Sequence, residues 1–202
     1  MAVRTLDDLH DLTCRVLANS NTAPENAKAV ADALVAAEAD GMPSHGMSRL
    51  VAYAGQAASG KVNGRAAPVL TQPKPSVIQV DACSGFAYPA MNMGLEKAAE
   101  VAPDAGAVAI GVGNSHHSGV AGHPVEEMAR RGLIALFVCN GPAGLAPWGG
   151  NRALYGTNPI AFACPVEGRE PLVVHEAEGR LRRKRVFRGG CGCDRSLRDG
   201  AF

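Results

Sequence analysis

No run of this sequence approaches eighteen consecutive apolar residues, so no membrane-crossing helix is expected. An excess of one charge is missing as well. Twenty basic and nineteen acidic residues leave a formal net charge of +1, which argues against a chain built mainly to hold nucleic acid. Met1 is followed by Arg4, Asp7, Asp8 and His10 with no apolar stretch between, so no secretory signal is visible and a soluble, cytoplasmic protein is expected. The dinucleotide fingerprint is also lacking: after Gly111-x-Gly113, His116 stands where the third glycine belongs. No P-loop and no internal repeat occur.

What is present is enough for a core. Of 202 residues, 47% are apolar, which excludes disorder throughout and suits one compact domain or two small ones. Six cysteines do not suggest a disulfide framework. Cys14, Cys83, Cys139 and Cys164 lie far apart in apolar segments and read as buried small hydrophobes. Cys191 and Cys193 form a C-G-C pair that lacks further metal ligands. The charge is unevenly spread. From His175 to Phe202 there are eight basic and four acidic residues, including the run Arg182-Arg183-Lys184-Arg185, with no period of 2 or 3.6. That tail reads as a solvated, poorly ordered terminus, not a nucleic-acid patch.

The first half reads as helical. Thr5 and Asp8 have the spacing of a capping box ahead of Leu6, Leu9, Leu12, Val16 and Leu17 on one face. A second helix opens at Thr22 or Ala23 with Pro24 in its first turn, and runs to Asp40, where Gly41 stops it. Pro43 begins a third, carrying Leu50, Val51 and Tyr53 and ending near Gly60. After Gly64 the character changes. Residues 67–70 and 77–80 are short β-like runs separated by Pro73 and Pro75. A helix is predicted over about 90–101 and another over 124–131. Strands are predicted at 105–111, 133–139, 159–163 and 172–174. The alternation predicts an α/β fold with a mixed sheet: a helical segment over 1–64, an α/β domain over 65–174 and a basic tail over 175–202.

Three segments carry candidate chemistry. In Gly41-Met42-Pro43-Ser44-His45-Gly46-Met47-Ser48-Arg49, the motif falls at a predicted helix start, where free N–H groups and the dipole favour anions. His45 and Arg49 are four apart and would share a helical face. A guanidinium can clamp a carboxylate while an imidazole moves its proton. The same residues would also suit a plain surface helix start. The second segment runs from Gly113 to His123 and joins a strand to a helix; its Gly and Ser residues suit phosphate contacts. His116, His117 and His123 are poorly spaced for zinc, so no metal is expected. The third, Ala146 to Phe162, contains Pro147-Trp148-Gly149-Gly150 and Gly156-Thr157-Asn158-Pro159 and reads as a structured loop entering a buried strand. Asn140, just after a strand, is placed to serve the same surface.

Together the D-G-x-x-S-H-G-x-x-R-L stretch, the N-S-x-H loop and the P-W-G-G…G-T-N-P-I-A-F run resemble the malate/L-lactate dehydrogenase family of NAD(P)-dependent oxidoreductases. That family includes ureidoglycolate and sulfolactate dehydrogenases and the Δ1-piperideine-2-carboxylate/Δ1-pyrroline-2-carboxylate reductases. The resemblance covers residues 4 to 174. It implies a non-Rossmann fold for NAD or NADP, with residues 65–174 as part of the cofactor-binding domain, and a homodimer at full length. The substrate implied is a 2-hydroxy or 2-oxo acid, or a cyclic 2-imino acid. His45 is implied as general acid/base with Ser44 as its orienting partner, and Arg49 as the carboxylate clamp. His117, Ser118, Gly119, Val120, Ala121, Asn140 and Thr157 are implied as cofactor contacts. In part of the family the histidine matching His117 is credited with the proton transfer instead, so both histidines stand as candidates.

The resemblance stops at Val174. Family members continue with an Asp-initiated cofactor segment where this chain has His175, and the catalytic Asp of the reductase branch would fall near Arg185. The change reads as a frameshift or truncation that leaves the fold incomplete at its C-terminus. It also keeps open a non-catalytic remnant. From that reading follow exposed sheet edges and apolar faces, marginal stability and a mobile tail.

Overall fold

The computed structural model describes residues 4–176. The basic run and the Cys191–Cys193 pair, with the expectations placed on them, lie outside the described residues. The chain divides into two compact units, one ending at Val120 and the other beginning at Ala121.

The first unit opens with α1 (Leu6–Ala18), α2 (Pro24–Ala39), a 3-10 turn (Met47–Arg49) and α3 (Leu50–Ala58). The capping box at α1 is complete. The Asp8 amide donates to Thr5 Oγ1 and the Thr5 amide to Asp8 Oδ2, both at 3.0 Å. Helix α2 has Ala23 at its N-cap and Pro24 in its first turn, where a missing N–H costs nothing. It ends at Asp40, before Gly41 at φ +69°. Leu17, Val30, Leu34, Leu50, Tyr53 and Ala57 meet in one core, joined by Phe86 and Tyr88 from further along the chain.

Next come β1 (Val69–Lys74), β2 (Val77–Asp81), α4 (Ala87–Ala105) and β3 (Ala109–Gly113). The sheet order is β1-β2-β3, with β1 antiparallel and β3 parallel to β2, so the predicted mixed sheet is present. Helix α4 crosses over between the parallel strands. At Gly94 a Cβ would come within 2.8 Å of Ile110 Cγ2, so the glycine lets α4 lie close on the sheet.

Three boundaries differ from the sequence reading. Strand β1 runs through Pro73, which an edge strand tolerates because one row of its N–H groups faces away from the ladder; the register shifts between Thr71 and Lys74. Ala105, predicted as strand, closes α4, and Gly106 at φ +73° makes the stop. The compositional change at Gly64 does not coincide with the division between compact units. The buried Asn26 amide on α2 donates to the carbonyls of Gly64 and Ala66, both at 2.9 Å, and ties the later segment back to the helices.

The second unit contains α5 (Gly122–Arg130), β4 (Ala135–Val138), β5 (Ile160–Val166) and β6 (Arg169–Glu176), in an antiparallel sheet of order β4-β5-β6. Helix α5 covers one face through Ala121, Val125 and Ala129, packed on Ala161, Ala163 and Val173. The other face, with Leu136, Val138, Ile160 and Val174, is exposed. The four described cysteines are half-buried rather than core residues: Cys14 lies on α1, Cys83 in the turn after β2, Cys139 just past β4, and Cys164 within β5.

Candidate active site

The Ser44–Arg49 segment is built differently from the helix start predicted for it. Residues 43–46 form a turn, the 3-10 turn follows, and α3 begins only at Leu50. Two features delay the helix. Gly46 has φ −95° and ψ −137°, outside helical space. It also packs so closely on α2 that a Cβ would lie 2.5 Å from Glu38 Oε2 and 3.0 Å from the Glu38 nitrogen. The same carboxylate accepts the Met47 amide at 3.0 Å.

The N–H groups expected to greet an anion are consequently taken. The amides of His45, Gly46 and Arg49 donate to the carbonyls of Met42, Pro43 and Gly46. His45 and Arg49 do not share a helical face. Instead Arg49 Nε donates to the Ser44 carbonyl at 2.6 Å, and the Ser44 hydroxyl faces His45 Nδ1 at 3.1 Å. The cationic Nη groups of Arg49, not backbone amides, are what this segment offers a carboxylate.

The second segment leaves the carboxyl end of β3, beside the carboxyl end of its parallel neighbour β2, where open α/β sheets place ligands. Asp81 Oδ1 anchors it by accepting from Asn114 Nδ2 at 3.1 Å, and the His116 amide donates to the Gly85 carbonyl at 2.9 Å. This path brings His117 against His45, the rings stacked with centroids 5.8 Å apart and planes inclined by 26°. The two candidate histidines, 72 positions apart by their numbers, therefore form one cluster with Arg49.

Around them lies a layer that sequence reasoning missed. Tyr53, 2% exposed, reaches His117 Nδ1 through its hydroxyl at 2.7 Å, and that hydroxyl lies 3.2 Å from the Tyr88 hydroxyl. His116 packs edge-on against Tyr53 and Phe86. The only available signal was spacing: Tyr53 stands about two helical turns beyond His45 on an otherwise alanine-rich helix. Burial, with Arg49, His45 and His116 nearby, pushes the His117 pKa down to about 4. Burial likewise lowers His116 and raises both tyrosines.

Of the remaining candidates, Ser118, Gly119 and Val120 continue this loop in the first unit, while Ala121, Asn140 and Thr157 belong to the second. Ala121 is the N-cap of α5. Asn140 and Thr157 sit on two apposed loops. The Gly141 amide donates to Asn158 Oδ1 at 3.0 Å, and a Cβ on Gly156 would collide with the Gly141 carbonyl oxygen. Both Asn140 and Thr157 are exposed. Among the described residues, no cluster of three or more His, Cys, Asp or Glu is arranged to hold a metal ion.

A family model described as malate/L-lactate dehydrogenase matches residues 5–184. Over 161 residues the chain is 50% identical to the (2R)-3-sulfolactate dehydrogenase (NADP(+)) of Chromohalobacter salexigens, covering 80% of this chain and 48% of that protein. It is 36% identical over 196 residues to a Delta(1)-pyrroline-2-carboxylate/Delta(1)-piperideine-2-carboxylate reductase of Pseudomonas syringae pv. tomato, covering 93% and 57%. The malate dehydrogenase structure from Pyrococcus horikoshii OT3 aligns with a TM-score of 0.82 and 32% identity over 90% of this chain and 52% of that one. The chain spans about half the length of the curated relatives it matches.

Proposed function

Because this chain belongs to the malate/L-lactate dehydrogenase family, we propose that it contributes the acid/base and carboxylate-binding half of a site for NAD(P)-dependent reduction of a 2-oxo acid, or oxidation of the 2-hydroxy acid. The observation that supports this best is the cluster itself: His45 stacked on His117 at 5.8 Å, with Arg49 tied to the Ser44 carbonyl beside them. Arg49 grips the substrate carboxylate through its Nη edge. His45 gives a proton to the oxygen on the α-carbon, or takes it in the reverse direction, and the Ser44 hydroxyl steadies its ring at Nδ1.

A nicotinamide dinucleotide, NAD or NADP, would supply the hydride from its ring. The residues present fit such a group. In the first unit, His117, Ser118, Gly119 and Val120 form a loop with no side chain at Gly119, which suits the close approach of such a group. In the second unit, taken by itself, Ala121 stands at a helix start and Asn140 and Thr157 expose an amide and a hydroxyl, neutral donors that suit a carboxamide or a phosphate. A second reading, reduction of a cyclic 2-imino acid, is favoured by the 196-residue match to the pyrroline/piperideine reductase. It uses the same groups, with the proton going to the imine nitrogen. We further propose a soluble, cytoplasmic homodimer at full length, with neither nucleic acid nor membrane as partner. No helix among the described residues is long and apolar enough to cross a membrane.

The test measures NAD(P)H binding by fluorescence and NAD(P)H oxidation with pyruvate, oxaloacetate and piperideine-2-carboxylate. It uses this chain and a chimera of residues 1–174 with the remaining half of the sulfolactate dehydrogenase. The expected result is turnover in the chimera that His45→Ala lowers by about 10²- to 10⁴-fold. A chimera that binds neither nucleotide nor any of the acids would overturn the reading.

A further inference from the structure

The donor pattern around His117 can be solved from one atom. The Gly119 amide lies 3.3 Å from His117 Nδ1, and a backbone N–H can only donate. Nδ1 is therefore the acceptor and carries no proton. The Tyr53 hydroxyl, 2.7 Å from the same nitrogen, must donate to it as well. Having spent its single proton there, Tyr53 meets Tyr88 as an acceptor, so the Tyr88 hydroxyl donates across the 3.2 Å contact. Gly119 locks this arrangement from the other side. It has φ +72°, and a Cβ there would come within 2.6 Å of the Tyr88 hydroxyl, so only glycine lets the amide and the tyrosine pair approach together.

We propose that Tyr53, backed by Tyr88 and Gly119, is a positioning residue that holds His117 as the neutral tautomer protonated at Nε2, so that His117 serves as a hydrogen-bond donor while proton transfer falls to His45. This deepens the reading above and rests on it for the role of His45. The tautomer itself follows from the hydrogen bonds alone. The titratable and charged groups facing His117 are Arg49, His45, His116 and Tyr53, with Tyr88 behind Tyr53. Three of them are basic, and together with burial they disfavour a second proton on the ring. A neutral imidazole that gave up its remaining N–H proton would become imidazolate, a costly anion, so this N–H is suited to donating a hydrogen bond. His117 can thus orient a carbonyl or carboxamide without competing for the proton that His45 delivers.

The test is nitrogen NMR of the chain labelled at histidine, with neither cofactor nor substrate added, so it stands apart from any loss of turnover. At pH 7 the His117 resonances are expected to show a pyridine-type Nδ1 and a pyrrole-type Nε2. Tyr53→Phe keeps the buried ring but removes the donor. It should weaken the preference for the Nε2-protonated tautomer, which the Gly119 amide then holds alone, and raise the His117 pKa above about 4 by removing a donor to the neutral ring, with Tyr88→Phe acting in the same direction more weakly. A pyrrole-type Nδ1 in the unmodified chain overturns the proposal, and so does a Tyr53→Phe spectrum and titration identical to it. The unmodified spectrum decides the tautomer even if a variant does not fold.

Discussion

A guanidinium that already spends its Nε on the Ser44 carbonyl has one edge left for a ligand, and a lysine cannot occupy both positions. Arg49→Lys should raise KM for the acid about 10- to 100-fold, as expected for losing a charge-assisted contact of about 1.5–3 kcal/mol, with a smaller effect on kcat. Steady-state kinetics on the chimera would check this, and a KM within twofold of the parent would remove Arg49 from the carboxylate site. The histidines carry a second prediction at this scale. Burial lowers the pKa of His116, His117, His123 and His175, so each favours the neutral form in the fold. The unfolded chain takes up these protons near 6.5, whereas folded His117 does so only at about 4. Stability is therefore complete above pH 6.5 and falls as the pH drops through that window. Melting followed by circular dichroism should show Tm declining between pH 6.5 and 4.5, and a flat Tm across that range would contradict the burial of these rings.

Elements whose ends are set by local chemistry were legible in the sequence. Thr5 and Asp8 mark the start of α1, Gly41 and Gly60 follow the ends of α2 and α3, and the strand–helix alternation predicts the α/β class. Thr5→Ala removes half of the capping box and should cost about 1 kcal/mol, read as a Tm several degrees lower. What was not legible depends on partners distant in sequence. The late start of α3 comes from Glu38 on another helix, which captures the Met47 amide and packs against Gly46. Nothing in the local spacing of His45 and Arg49 reveals this, so the pair reads as helical when it is not. Pro73 stops a strand in the sequence but not in the fold, because only the sheet order reveals that β1 is an edge. The motifs marked the two segments that meet in the first unit but not the tyrosines beneath them, since Tyr53 looks like any core residue until His117 arrives from beyond β3. Gly46→Ala should drive the turn off α2 and lower Tm clearly, whereas the same change at Gly55, which has nothing within 4 Å, should not.

At the scale of the whole molecule, the open face of the second sheet exposes a row of apolar side chains among the described residues. Leu136 and Val138 are 69% and 65% exposed, and Leu136, Phe162 and Val174 stand abreast in register across the three strands. Such a face binds hydrophobic dyes and promotes association. Replacing Leu136 and Val138 with lysine should reduce anilinonaphthalene sulfonate fluorescence and the aggregated fraction in size-exclusion chromatography, and unchanged dye binding would place the sticky surface elsewhere. The division at Val120 has a consequence of a different kind, in the order of synthesis. Every strand partner of the first sheet, and the whole His45–Tyr53–His117 cluster, lies within residues translated before α5 begins. At about 5–20 residues per second, that unit has seconds to close while the chain of β4 to β6 is still being made. Ribosome-stalled chains with Val120 clear of the exit tunnel should already resist protease over their first unit. Chains stalled with β3 still inside should be cut there, because β2 then lacks its parallel neighbour and His117 has not yet reached the tyrosine that orients it.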